Sequence, residues 1–273
     1  MDDDYSEERI RAALGAGRFG APLHYFEVAD STQRIALDLA ERGCPEGALV
    51  VADGQSAGVG RRGRTWHSAR GLGIWASLVL RPSVGPREGG LMSAWAALAV
   101  LKALESGGWG GAGAGIKWPN DLLVDDRKLC GILVDAKSAG GELKYAVLGL
   151  GLNVNHDPGD FPPDIARSAV SLKIVGGETG DRATLLGLIA REMERSYGNL
   201  LTEDGRKSVA SAAQDASVLI GRRVTVDGPG GAAAGTALRI DSDGALVIGT
   251  GPGREERILA GDVEIVRVME DES

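Results

Sequence analysis

This 273-residue chain has few cysteines and no excess of positive charge, and each of these two absences argues against a class of protein. Cys44 and Cys130 are the only cysteines. Two are too few for a disulfide framework, so a reducing, cytoplasmic location is expected. Basic residues number 30 against 38 acidic ones, which gives a formal net charge of −8. Because affinity for nucleic acid comes largely from neutralising phosphates, a general nucleic-acid binder is disfavoured.

Long apolar runs are also lacking. The longest, LMSAWAALAVLKAL at residues 91–104, contains Lys102 and is shorter than the roughly 20 residues that cross a bilayer. It predicts a buried core helix, with no membrane partner. The amino-terminal MDDDYSEER is acidic and lacks the basic-then-apolar layout of a signal peptide. Overall, 43% hydrophobic and 25% charged residues are typical of a folded globular protein.

Alternating strand and helix patterns predict an α+β fold, with a mixed or antiparallel sheet and helices on one face. Ser31 or Thr32 is placed to cap a helix that ends at Gly43. From residue 218 onward, short alternating segments separated by Asp-Gly and Gly-Pro turns predict a small β-barrel. Predicted strands cover 24–29, 48–53, 73–82, 115–124, 128–137 and 144–155, and predicted helices cover 6–14, 32–43, 91–104 and 181–201.

Glycine is abundant, with 42 residues, and one glycine-rich stretch also concentrates positive charge. Residues 58–64 read GVGRRGR and carry Arg61, Arg62 and Arg64. The letters fit GxGxxG, but no helical pattern follows, and Arg81 lies where a dinucleotide fold needs an acidic residue. Two other interpretations of this stretch alone remain: a glycine–arginine segment that binds nucleic acid together with Trp66, and a solvated basic turn. No GxxxxGK[ST] sequence is present, which excludes a P-loop.

Two further segments carry polar residues inside strand patterns. Residues 117–133, KWPNDLLVDDRKLCGIL, place Lys117, Asp121 and Lys128 around a predicted hairpin. These residues either suit the turns of the hairpin or form a site. Residues 149–155, GLGLNVN, place Asn153 in an apolar strand, where a buried amide needs a partner, structural or ligand.

Taken in order, the three segments resemble the signatures of the biotin protein ligases, also called biotin–[acetyl-CoA-carboxylase] ligases. Those signatures are G-R-G-R-x-G-R-x-W, K-W-P-N-D-[IL] with K-[LV]-x-G-[IL]-L, and G-[IL]-G-[IL]-N. The resemblance covers residues 23–270 and implies a class II synthetase-like catalytic domain at 23–217. It also implies an SH3-like barrel at 218–273, after a short extension at 1–22. That extension is too short for a three-helix DNA-binding domain, so a monofunctional ligase is expected.

The resemblance implies that ATP activates biotin to biotinyl-5′-AMP. The biotin then passes to one lysine of a biotin carboxyl carrier protein or biotin-dependent carboxylase domain. Two unit charges about 4 Å apart, at an effective dielectric near 20, repel by about 4 kcal/mol, so joining a carboxylate to a phosphate requires cations. Arginines supply that charge, and glycines let backbone N–H groups approach. Homodimers are possible. A lipoate protein ligase and a biotin-binding module without turnover are the alternatives.

The resemblance also assigns roles to residues. The expected catalytic residues are Lys128, Arg61 and Asp121, and Asp121 is also the expected Mg²⁺ ligand. Residues 55–70 are expected to order over the ligand. Position 59 departs from the family, because Val59 stands where an arginine is usual. Biotin contacts are expected from Ser31, Thr32, Gln55, Gly58, Val59, Gly60, Arg61, Trp66, Lys128 and Gly131. ATP or adenylate contacts are expected from Arg61, Arg62, Arg64, Trp66, Lys117, Asn120, Asp121 and Asn153.

Overall fold

A seven-stranded mixed sheet forms the centre of the protein, for which a computed structural model describes residues 3–86, 88–228 and 231–266. The strand order is β1-β2-β3-β7-β6-β5-β4. The β1–β2 pair is parallel, and the other neighbouring pairs are antiparallel. The strands are β1 (Leu23–Ala29), β2 (Leu49–Gln55), β3 (Gly73–Leu80), β4 (Gly115–Lys117), β5 (Asp121–Val124), β6 (Arg127–Ala139) and β7 (Glu142–Asn153).

Seven α-helices are found among the described residues: α1 (Glu7–Leu14), α2 (Thr32–Glu41), α3 (Met92–Ser106), α4 (Leu172–Gly176), α5 (Arg182–Ser196), α6 (Gly198–Leu201) and α7 (Glu203–Asp215). Helices α1, α3 and α5 pack together in the larger hydrophobic core. None of the described helices is both long enough and apolar enough to cross a membrane.

The prediction of helices on one face is wrong for α2. Alternate residues of a strand face opposite sides of a sheet. In β3, Ile74 and Leu78 belong to the larger core, whereas Val79 packs with Ala36 of α2 in a separate cluster. Both faces of β3 are therefore covered at its carboxyl end, because its sequence is apolar at nearly every position.

Two predicted elements are each divided in the structure. The predicted strand at 115–124 is a hairpin, since Trp118, Pro119 and Asn120 form the turn between β4 and β5. Proline has no N–H to donate to a strand ladder, which explains the break. The predicted helix at 181–201 becomes α5 and α6. Asp181 caps its amino terminus, because the Asp181 carboxylate accepts from the Thr184 N–H at 2.9 Å.

The carboxyl-terminal strands form a second, antiparallel sheet in the order β11-β10-β9-β8-β12. Its strands are β8 (Arg223–Gly228), β9 (Gly231–Ile240), β10 (Leu246–Gly251), β11 (Arg254–Ile258) and β12 (Asp262–Ile265). Within the described residues β11 and β12 are not paired with each other, so the sheet is open and a closed barrel is not seen. Trp118 Nε1 donates to the Gly244 carbonyl at 2.8 Å, which joins this sheet to the main one.

The amino-terminal residues pack into the main core. Ile10 and Phe19 are buried there. Arg182, which is buried, forms ion pairs with Asp3 and with Asp53, the latter at 2.8 Å. The domain limits stated above stay predictions.

Candidate functional site

A cavity of about 220 Å³ lies on the α2 side of the main sheet, beyond the amino-terminal end of that helix. Glycines in adjacent strands leave the space for it. Gly131 in β6 and Gly151 in β7 are paired across the sheet, and the indole of Trp66 covers both. A Cβ at position 151 would lie 2.5 Å from Trp66 Nε1, and one at position 131 would lie 2.7 Å from the ring.

Residues 56–70 form the outer wall of the cavity as a narrow loop. The Trp66 N–H donates to the Gly58 carbonyl at 2.9 Å, and the Gly60 N–H donates to the Arg64 carbonyl at 2.7 Å. Arg62 has a φ of 54° and the following Gly63 a φ of 72°, so the chain reverses there. A Cβ at position 58 would lie 2.6 Å from the Trp66 carbonyl oxygen, so glycine is needed at that position.

Most of the predicted site residues line this cavity. The predicted residues that line the cavity are Ser31, Thr32, Gln55, Val59, Gly60, Arg61, Arg64, Trp66, Asn120, Asp121, Lys128, Gly131 and Asn153. Three predicted contacts are outside the lining. The Gly58 carbonyl accepts a hydrogen bond from the Trp66 N–H, and Arg62 donates to the Asp227 carbonyl of the carboxyl-terminal sheet. Lys117 lies in β4 and is paired with Asp121 of β5.

One end of the cavity is ionic. Lys128 Nζ lies 2.8 Å from Asp121 Oδ1 and 5.0 Å from the centre of the Trp66 ring, a cation–π distance. Asn153 uses its amide to donate to the backbone carbonyls of Lys128 and Val170, at 3.3 and 3.1 Å. Its role in the structure is therefore to fix the backbone that carries Lys128.

The arginines of the loop converge on a residue of the second sheet. Arg61 donates to Asn120 Oδ1 at 3.0 Å and lies 3.4 Å from an Asp262 carboxylate oxygen. Arg62 pairs with Asp262 at 3.3 Å, and Arg64 pairs with it as well. The carboxyl-terminal sheet thus contributes a carboxylate to the cationic end of the cavity.

The other end of the cavity carries hydroxyl and amide groups. Gln55 Oε1 accepts from the Thr32 backbone N–H at 2.8 Å, and Gln55 Nε2 donates to Ser68 Oγ at 2.8 Å. Ser31 occupies the cap position of α2, but its side chain caps no backbone N–H. Its hydroxyl is buried without a hydrogen-bond partner among the described residues, and it lines the cavity.

Sequence reasoning missed several lining residues. Gln33 and Ser77 had a weak signal, because one follows Thr32 directly and the other is a polar residue in an apolar strand. Asp262 had none, since it lies about 200 residues from the arginines that it contacts. Phe161, Ile165, Ser168 and Ala169 come from an irregular segment without a motif.

The site offers few protein ligands for a divalent cation. Among the described residues, no group of three or more histidine, cysteine or acidic side chains could form a metal cage. Asp121 is a single oxygen donor with 19% of its side chain exposed. Such a site suits Mg²⁺, which keeps several waters and is often bound through one or two carboxylates plus substrate phosphates.

Two family profiles match the chain. The Biotin/lipoate A/B protein ligase family matches residues 25–153, and the Biotin protein ligase C terminal domain matches residues 219–266. The bifunctional ligase/repressor BirA of Bacillus subtilis is 36% identical over 260 residues, which are 95% of this chain and 79% of that protein. The biotin–[acetyl-CoA-carboxylase] ligase of Mycobacterium tuberculosis is 33% identical over 258 residues, 93% of this chain and 92% of that protein.

A solved structure agrees in fold. Biotin protein ligase from Aquifex aeolicus, in complex with biotin and ATP, superposes with a TM-score of 0.73 at 25% identity, covering 90% of this chain and 99% of that one. The relatives include ligases and ligase/repressors, so the monofunctional type stays a prediction. From the matched motifs, the relatives and the shared fold, the chain belongs to the biotin/lipoate A/B protein ligase family and carries the biotin protein ligase C-terminal domain.

Proposed function

We propose that this protein is a biotin protein ligase, which activates biotin with ATP and transfers it to a lysine of a biotin carboxyl carrier domain. The observation that carries the proposal is the polarity of the cavity. A hydroxyl and amide end at Ser31, Thr32 and Gln55 suits a ureido ring, and a cationic end at Arg61 and Lys128 suits converging anions. The relatives named as biotin ligases support the same reaction.

The first step joins the biotin carboxylate to the α-phosphate of ATP, and pyrophosphate leaves. A carboxylate oxygen forms the new bond to phosphorus as the bond to the pyrophosphate oxygen breaks. Lys128 neutralises the carboxylate and the charge that develops on the phosphate oxygens, a role that requires it to turn from Asp121 toward the substrate. Arg61 lies between Asn120 and Asp262, where its guanidinium can hold two phosphate oxygens at once.

Arg64 is proposed to hold the outer phosphates, and the Gly60 backbone lets the loop approach them. Arg62 and Lys117 are proposed to contribute long-range positive charge, since neither lines the cavity. Val59 and Gly131 border the biotin, while Trp66 closes over it from the loop. Asn153 serves the nucleotide end indirectly, through the backbone of Lys128.

Mg²⁺, if bound here, would supply charge neutralisation on the phosphates of ATP. Asp121 is the residue that would hold the ion, because its carboxylate lines the cavity beside Lys128. In the second step, the amine of the acceptor lysine attacks the acyl carbon and AMP leaves. Asp121 is the nearest carboxylate to Lys128 and is proposed to accept the proton that the amine loses.

The intermediate is a mixed anhydride that water destroys, so we propose that residues 55–70 close over it. The carboxyl-terminal sheet is proposed to belong to the SH3-like barrel class, on the match of residues 219–266. Its Asp262 pairs with arginines of the loop that is proposed to bind ATP, so the sheet lies beside that loop. A cytoplasmic enzyme that can form homodimers is part of the same proposal.

Exchange of radiolabelled pyrophosphate into ATP, with Mg²⁺ and either biotin, lipoate, octanoate or no acid, tests the proposal. Biotin-dependent exchange is expected, followed by labelling of a carrier-domain lysine. Exchange with lipoate alone would make the chain a lipoate ligase instead. Biotin binding without exchange by any acid would make it a binding module.

A further inference from the structure

Asp53 is a buried carboxylate near the loop that forms the outer wall of the cavity, and the function proposed above gives it no role. It lies in β2, two residues before Gln55, and only 8% of it is exposed. Within the described part of the chain, it is outside the lining of the cavity. A buried carboxylate is costly unless it is paired or hydrogen-bonded, so its partners show what it holds in place.

Two partners of Asp53 belong to the far end of the loop. Arg70 Nε donates to Asp53 Oδ2 at 2.9 Å, and the Gly71 N–H donates to Asp53 Oδ1 at 3.2 Å. The two ends of the loop also approach each other directly, since a Cβ at Gly54 would lie 3.1 Å from the Arg70 Cβ. Asp53 therefore joins the entry of the loop to its exit. These two ends, residues 53–55 and 68–71, form the base of the loop.

Hydrogen bonds continue from the base of the loop to Trp66. The Gln55 N–H donates to the Ser68 carbonyl at 3.0 Å, and Gln55 Nε2 donates to Ser68 Oγ at 2.8 Å. Two residues further, the Trp66 N–H donates to the Gly58 carbonyl at 2.9 Å. The position of the ring that covers the cavity therefore depends on how firmly the base is held.

The third partner of Asp53 is Arg182, at the start of α5. Arg182 Nη1 donates to Asp53 Oδ1 at 2.8 Å and to the Gly73 carbonyl at 3.1 Å. Gly73 is the first residue of β3, the strand that follows the loop. Only 3% of the Arg182 side chain is exposed, so its charge depends on anionic partners inside the protein.

The second anionic partner of Arg182 comes from the amino-terminal segment. Arg182 Nε pairs with one Asp3 carboxylate oxygen, and the Arg182 backbone N–H donates to the other at 3.2 Å. The side-chain amide of Asn155 also donates to Asp3, at 3.1 Å. The guanidinium carbon of Arg182 lies 4.1 Å from the centre of the Tyr5 ring, a cation–π contact. Residues 3 and 5 thus hold Arg182 from the side opposite to Asp53.

We propose that Asp53 and Arg182 are positioning residues that, together with Asp3, anchor the base of the loop and so keep Trp66 over the cavity. The charges alternate in sign along the series Asp3, Arg182, Asp53 and Arg70, so removing either outer charge leaves an inner one less well paired. The amino-terminal segment thereby controls how often the loop opens. The consequence for an adenylate held under the loop rests on the proposed function, whereas the anchoring itself does not.

Trypsin cleavage of the unliganded protein at the arginines of residues 58–64 measures the anchoring without reference to activity. Cleavage requires local opening, so its rate follows the open population when reclosing is fast. Asp3→Asn and Arg70→Gln are each expected to raise this rate about fivefold, within the range for residues that couple separate sites. Glu27→Gln is the matched control, because it removes the exposed partner of Arg70, 3.1 Å away, and leaves Asp53 in place. It is expected to be cleaved like the unmodified protein.

The double variant Asp3→Asn/Arg70→Gln tests whether the two outer residues act through the same inner pair. Both contact the Arg182–Asp53 pair, from opposite ends, so the second substitution is expected to add less than the first. Independent effects would multiply to about 25-fold, whereas a shared anchor keeps the double variant below about tenfold. A rise of about 25-fold would overturn the shared anchor, and unchanged cleavage in Arg70→Gln would overturn the proposal as a whole.

Cleavage at Lys207, on α7, separates loop opening from loss of global stability. It is expected to stay unchanged in all variants. An equal rise at Lys207 and in the loop would overturn the proposal, because the substitutions would then act on stability alone. The Arg70 side chain is 58% exposed, so Arg70→Gln is expected to fold and to supply a result even if Asp3→Asn does not.

A second arm measures retention of biotinyl-adenylate formed on the protein from radiolabelled biotin and ATP. Its release after a chase with unlabelled biotin is expected to be about fivefold faster in Arg70→Gln and Asp3→Asn. The single-turnover rate of its formation at saturating substrates is expected to change less than about twofold. A merely structural role would lower the active fraction and leave the release rate unchanged, and that result would overturn the role in retention. Absence of any adenylate with the unmodified protein would instead refute the proposed function and leave the trypsin arm intact.

Discussion

Gly131 and Gly151 are paired directly across β6 and β7, and neither can carry a methyl group unless Trp66 moves. The two glycines come from separate motifs, and the tryptophan comes from a third. Their contact therefore explains why two of these distant segments carry a glycine where the third carries a tryptophan. The ring closes the cavity, and the glycines set its depth.

Gly151→Ala is expected to lower kcat/KM for biotin in pyrophosphate exchange by about tenfold or more, a loss of about 1.4 kcal/mol or more of transition-state stabilisation. The new methyl group would lie 2.5 Å from the indole and displace it with its loop. Gly176→Ala is the matched control, since nothing lies within 4 Å of a Cβ there. Equal activity in the two variants would show that the position of Trp66 is unimportant.

Lys128→Gln is expected to reduce the rate of adenylate formation by about 10²–10³-fold, the loss typical for one preorganised group that stabilises transition-state charge. Single-turnover formation of biotinyl-adenylate measures it. Lys102→Gln, on the exposed side of α3, removes one positive charge from outside the site and is expected to act like the unmodified protein. A loss below tenfold in Lys128→Gln would remove Lys128 from the catalytic role.

Asp262→Asn is expected to strengthen pyrophosphate binding about two- to tenfold, because partly exposed ion pairs contribute about 0–1 kcal/mol each and three arginines share this carboxylate. Inhibition of exchange by pyrophosphate at two salt concentrations measures it. Asp227→Asn is the control, as Asp227 pairs only with Arg62 in the loop and is exposed. Weaker binding in Asp262→Asn would mean that Asp262 orients the arginines and does not compete for them.

The unfolding free energy is expected to fall as the pH is lowered from about 6.5 to about 4, in part through His156. This residue is fully buried and stacks on Phe161 at 4.6 Å. Burial, aided by His67, lowers the pKa of His156 to about 4. In this pH range the unfolded chain binds a proton that the folded chain excludes, so stability is present at higher pH and lost as the pH falls, by on the order of 3 kcal/mol.

Urea unfolding at pH 7 and pH 5 measures the His156 contribution. His156→Phe keeps an aromatic ring but cannot bind a proton, so its stability is expected to vary less between the two pH values. An identical pH dependence in both proteins would assign the effect to other groups.

Native protein is expected to react with a disulfide reagent at one thiol, and unfolded protein at two. Cys130 is completely buried in β6, and burial raises the pKa of its thiol well above the ordinary value. Cys44 is partly exposed after α2. Cys44→Ser is the control and should leave no reactive thiol in the folded state. Rapid reaction of Cys130 in that variant would contradict its burial.

The sequence alone determined the local elements and the chemical class of the site. Short apolar segments located β1, β3 and β7, and helical patterns located α2 and α3, because local hydrophobic patterns reflect burial. The motifs that resemble the biotin protein ligase signatures implied site roles for Arg61, Asp121 and Lys128, and all three line the cavity. The break at Pro119 and the split after Ser196 were missed, since continuous apolar patterns conceal short turns.

Only the tertiary structure decided which residues meet across long separations. It brought Asp262 to the loop arginines, α2 to the opposite face of the sheet, and Asp135 to Gln33. Such contacts depend on the strand order and on which face each side chain takes. Sequence periodicity reports that a residue is buried, but the hydrogen-bond partner that fixes its polarity is set by strand pairing and packing.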